Sequence, residues 1–78
     1  MSDRVVVLTR AGCHLCDDAR AVVDSVCTAR SITYVIKDVD ADPELHRRYS
    51  DLVPVVLVDG VEHARYRVDA ASLDRALG

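Results

Sequence analysis

A chain of 78 residues leaves room for one domain, spanning 1–78, that buries about 60–65% of its unfolded surface. The formal net charge is −3, and no basic stripe interleaved with aromatics appears, which sets nucleic acid aside as a partner. The longest apolar run, Val53 to Val58, falls far short of the roughly 20 residues a spanning helix needs. No leader pattern opens the chain, so a cytoplasmic location away from membranes is expected.

With no Phe and no Trp the core must be aliphatic, and the abundant valines favour strands because β-branched side chains suit a pleated surface. Val5 to Leu8 reads as a short strand buried on both faces, ended by the loop Thr9-Arg10-Ala11-Gly12. A helix is predicted from Cys13 or His14. Leu15, Ala19, Val22, Val23 and Val26 share one of its faces, and Asp17, Asp18, Arg20 and Asp24 the other. Ile32 to Ile36 is the second strand.

Asp42-Pro43-Glu44 then supplies an N-cap acceptor, a proline at the first helical position and an acid in the first turn. Leu45, Tyr49 and Leu52 form the stripe that this short helix buries. Val53-Pro54 ends it, since a residue before proline is driven to extended geometry. Val55 to Val58 is a third strand, Asp59-Gly60 a hairpin turn, and Val61 to Val68 the returning fourth strand. Asp69 caps a last helix carrying Ala70, Leu73, Ala76 and Leu77. The order is βαβαββα. A crossover helix makes the first two strands parallel and a tight hairpin makes the last two antiparallel, so one mixed sheet between helices is the economical packing.

Three cysteines, an odd number, argue against a framework of structural disulfides. Two of them form Cys13-His14-Leu15-Cys16 at the junction of a strand-ending loop and a helix start. Such a junction presents unpaired N–H groups and the positive end of the helix dipole, which favour a thiolate. A free cysteine has a pKa of about 8.5, and helix N-termini and CxxC settings can bring it to about 7 or below. Cys13 is therefore the candidate nucleophile and Cys16, one turn behind, the resolving thiol. Arg10 and a protonated His14 are candidate tuners of the thiolate, opposed by Asp17 and Asp18. Pro54, at the mouth of the third strand in a chain with an N-terminal CxxC, suggests a cis bond, which only X–Pro linkages adopt cheaply. The Val53 backbone beside it would then be open to pair with an extended substrate.

These residues resemble the glutaredoxin branch of the thioredoxin superfamily. The likeness runs through Val5–Leu8, Arg10-Ala11-Gly12-Cys13-His14-Leu15-Cys16, Val53-Pro54, the Asp59-Gly60 turn and the final helix. It implies the thioredoxin/glutaredoxin α/β fold, with a four-stranded sheet of order 2-1-3-4, three helices and a cis Pro54. It further implies a nucleophile at Cys13, a resolving thiol at Cys16, and a basic residue at Arg10 that meets a glutathione carboxylate.

Two stretches depart from the family pattern. His14-Leu15 replaces Pro-Tyr, and His63-Ala64-Arg65-Tyr66-Arg67 stands where Gly-Gly and an acid usually follow the hairpin. The expected activity is thiol–disulfide exchange on protein or low-molecular-weight disulfides, by a monomer with no bound cofactor. Glutathione or another thiol reductant, or a flavoprotein reductase, would be the electron donor. An iron–sulfur or metal carrier and a binding module without turnover are the alternatives, although no second CxxC or spaced His pair completes a tetrahedral zinc set. Cys27 reads as a buried inert thiol and His46 and His63 as surface residues. Tyr34, Tyr49 and Tyr66 are expected to lie in or over the core, hydroxyls outward.

Overall fold

The computed structural model describes residues 4–78. Strands β1 (Val5–Thr9), β2 (Tyr34–Asp38), β3 (Val55–Val58) and β4 (Val61–Arg65) form one sheet in the order β2-β1-β3-β4. β1 runs parallel to β2 and antiparallel to β3, and β3 runs antiparallel to β4. Helices α1 (His14–Ala29), α2 (Pro43–Tyr49) and α3 (Ala70–Ala76) complete the βαβαββα order, with a 3₁₀ turn at Val39–Ala41 before α2. This is the expected thioredoxin-like fold.

Alternation along the strands sorts the core into two parts. Val5 and Val7 of β1, with Val56 and Val58 of β3, face Val23, Val26 and Cys27 of α1 and Leu73 of α3. Leu8 and Val55 point the other way, where they meet Val39 and the half-buried Leu45, Tyr49 and Leu52. Helices α1 and α3 therefore cover one face of the sheet and α2 the other.

The local chemistry at each junction explains where the elements stop. Asp59 (φ 51) and Gly60 (φ 83) both take positive φ, the geometry a two-residue hairpin of matched twist requires. Asp42 caps α2, accepting from the backbone N–H groups of Glu44 at 2.9 Å and Leu45 at 3.3 Å. Asp42→Ala is expected to cost about 1 kcal/mol, read as a lower urea midpoint.

Strands β1 and β2 run on to Thr9 and Asp38, past the expected Leu8 and Ile36, and three further boundaries differ from the sequence expectation. The second strand starts at Tyr34 rather than Ile32, because the Ile32 N–H is spent on closing α1. It donates to Cys27 O at 2.9 Å, while Ser31, at φ 56, donates to Thr28 O at 3.1 Å. Leu52 lies beyond the end of α2, in a turn closed by its N–H on Tyr49 O at 2.8 Å. It still packs with the α2 stripe. β4 stops at Arg65, not Val68: the ladder skips a residue at His63, and the chain reverses its backbone sense at Tyr66 (φ 64).

Candidate functional site

Cys13 is the N-cap of α1. Its backbone is extended (φ −95, ψ 109), and its Sγ accepts the backbone N–H of Cys16 at 3.2 Å. An N-cap usually offers a hydroxyl or carboxylate oxygen to these orphan donors. Here sulfur does so, at the positive end of the helix dipole. Cys13 is half-buried. Gly12 holds the loop at φ 77 with no atom within 4 Å of where a Cβ would stand. Backbone conformation, not space, is what calls for glycine there.

Cys16, one turn on, is only 2% exposed. Burial first, then the hydrogen bond with Cys13, push its thiol from 9.0 up to about 11, against the backbone N–H of Arg10, which pulls it down. The folded chain thus holds this proton more tightly than the unfolded chain does. The resulting stability is complete below the unfolded pKa and is lost as pH rises from 9.0 towards about 11. Burial raises the Cys27 thiol as well, in the same sense. The urea midpoint is expected to fall between pH 8 and pH 10.5, and Cys16→Ala should flatten that slope.

The Val53-Pro54 bond is cis, as expected, and Pro54 is fully buried. Val55 pairs with Leu8, so this bond lies at the end of the sheet where β1 passes into the Cys13 loop. Arg10 lies in that loop, but its side-chain hydrogen bonds go elsewhere than to sulfur. Its Nε donates to Asp40 at 3.2 Å and one Nη to the Ser50 carbonyl at 3.3 Å. Asp40 also meets His46 Nδ1 at 2.8 Å. His46 first, with Arg10, holds the Asp40 carboxyl below its usual range. His14 is exposed at the first turn of α1, next to Cys13.

Against known proteins, residues 4–78 match the Glutaredoxin-like domain (DUF836). The chain belongs to this family. A Mycobacterium tuberculosis relative of this glutaredoxin-like protein, the uncharacterized protein Rv0508, is 34% identical over 71 residues, covering 85% of this chain and 73% of the relative. The X-ray structure of protein XcR50 from Xanthomonas campestris superposes with a TM-score of 0.75 at 26% identity, covering 94% of this chain and 93% of that one. Thioredoxin 1 of Thermosipho africanus shares the fold, with a TM-score of 0.64 at 17% identity over 94% of this chain and 92% of its own.

Among the described residues of this glutaredoxin-like protein, no helix is long and apolar enough to cross a membrane. Nor does any group of three or more His, Cys, Asp or Glu among them stand ready to hold a metal ion. Two features near the cysteines escape the sequence. One is the Asp40–His46 pair behind Arg10, assembled from a loop, a 3₁₀ turn and α2.

The other feature is Tyr66. Instead of lying over the core it stands 45% exposed and lines a cavity of about 330 Å³ between α1 and the β4–α3 loop. Leu15 and Val22, expected on the buried face of α1, are half-buried and line that cavity too. Tyr34 keeps to the expectation, half-buried with its hydroxyl donating to Asp24 at 2.6 Å. His63 is half-buried, its Nε2 3.2 Å from Ser72 Oγ. His46 is exposed.

Proposed function

We propose that this glutaredoxin-like protein is a thiol–disulfide oxidoreductase that reduces protein or low-molecular-weight disulfides. The observation that carries the reading is Cys13 Sγ. It caps a 16-residue helix and accepts the Cys16 N–H at 3.2 Å, in a half-buried residue with a buried thiol one turn behind it.

The Cys13 thiolate attacks one sulfur of the substrate disulfide. A Cys13–substrate S–S bond forms, the substrate bond breaks, and the other substrate sulfur leaves as a thiolate that takes up a proton. Cys16 then gives up its proton and attacks Cys13 Sγ. The intramolecular disulfide closes and the second substrate thiol departs. Two electrons have passed from the pair to the substrate.

A thiol donor, glutathione or another low-molecular-weight thiol, or a flavoprotein reductase, returns those electrons. High in its burial, Cys16 waits as a thiol and does not compete with Cys13 for the first attack, which gives the two sulfurs their order. Val53 and Pro54 offer the substrate backbone a place to pair beside Cys13, and Arg10 a cation for a substrate carboxylate. His14 adds positive charge at the helix start when protonated. The protein acts in the cytoplasm as a monomer.

The test is catalysed reduction of insulin and of a small mixed disulfide. Recycling is supplied in parallel by glutathione with its reductase and by thioredoxin reductase with NADPH. Turnover with either donor supports the assignment and identifies the donor class. Should neither disulfide be reduced faster than by the donor alone, the assignment fails.

A further inference from the structure

Tyr66 is held in a conformation that costs free energy and returns little packing. Its φ of 64 places a bulky aromatic in the left-handed region, where residues other than glycine are uncommon. The Arg67 N–H donates to Arg65 O at 2.6 Å, closing a one-residue turn about it of a kind that is rare and strained. Strain of this sort collects where a chain binds or reacts.

The turn does not bury the ring. Instead, the Tyr66 N–H donates to Pro54 O at 2.7 Å, and the hydroxyl reaches the Asp51 carbonyl at 3.5 Å. The ring is thereby kept between the Val53-Pro54 segment and the cavity that begins at Leu15, inside the CxxC. That cavity has an apolar floor of Leu15, Val22 and Val68. Its charged rim carries two carboxylates, Asp18 and Asp69, against one guanidinium, Arg67. A long aliphatic stem ending in a positive charge suits an apolar floor, an aromatic wall and an excess of carboxylate.

We propose that Tyr66 and the cavity beside it set substrate choice, seating the lysine or arginine side chain of a residue adjacent to the cysteine of a peptide disulfide. This rests on the disulfide-exchange reading above. Asp18 supplies the charge and Tyr66 the wall, and glycine at position 66 would keep the turn without the ring.

The experiment uses pre-reduced protein and two chromogenic mixed disulfides of thionitrobenzoate, with the peptides Gly-Lys-Cys and Gly-Glu-Cys, so that no electron donor enters. The lysine peptide is expected to react roughly fivefold faster, as one or two part-exposed charge contacts can provide. Asp18→Asn and Tyr66→Gly should each cut that ratio to about twofold or less. Asp17→Asn, which neutralises an exposed acid of the same helical turn outside the cavity, should leave the ratio in place. Loss of the ratio in Tyr66→Gly, where no charge changes, separates the cavity from the general field of the protein. Reaction without a charge preference, or a preference that Tyr66→Gly and Asp18→Asn leave intact, overturns the cavity assignment alone. No reaction with either peptide overturns it together with the disulfide-exchange reading.

Discussion

Replacing Cys13 with serine is expected to lower disulfide reduction by at least about a thousandfold. A serine hydroxyl is almost wholly protonated at neutral pH and cannot do the work of a thiolate. Cys16→Ser should behave differently. The first attack survives, since Cys13 keeps its helix-end position and its backbone donor, but the displacement by Cys16 is lost. Incubation with a mixed disulfide should then leave one substrate half bound through Cys13, visible as a mass increase that dithiothreitol removes. Full turnover in Cys13→Ser would refute the order of attack derived from the burial of the two sulfurs. So would an adduct that forms on Cys16 instead.

Leu73→Ala is expected to have the largest effect on stability. Leu73 is fully buried on α3, in the cluster with Val5, Val7, Val23 and Val56. Deleting its side chain removes about 2–5 kcal/mol of burial and leaves a cavity that a small sheet-and-helix layer cannot close. A domain of this size is stable by roughly 4–12 kcal/mol in all. Chemical unfolding should show the loss directly, and a change under about 1 kcal/mol would mean that α3 is not packed where it is described. Leu45→Ala, at a half-buried position on the opposite face, should cost distinctly less.

Much of this molecule is legible in its sequence, for identifiable reasons. Continuous valine-rich runs, a proline at the first turn of α2 and Asp59-Gly60 between two strands each report a local preference that tertiary packing agrees with. The Cys13–Cys16 motif and Pro54 are equally local signals, and their meeting at one end of the sheet follows from strand order. The failures share a cause. Ser31 closes α1 with a positive φ that glycine would have announced, so Ile32 reads as strand although its N–H serves the helix. Tyr66 hides the end of β4 in the same way. Arg10, whose guanidinium turns to Asp40 and Ser50, was placed by spacing along the chain, whereas its contacts depend on residues 30 and 40 positions away.

The unequal covering of the sheet bears on how the molecule breathes. Among the described residues, the α1–α3 side is built on nine buried residues, whereas the α2 side has three, Leu8, Val39 and Val55, bordered by half-buried ones. Opening free energy follows such local burial. Amide deuterium uptake should therefore run faster in α2 than in α1, through partial openings that leave the thicker layer closed. Because Arg10 is tied to Asp40 and Ser50 on that thinner side, each such opening would loosen the loop that carries Cys13 without unfolding the helix that Cys13 caps.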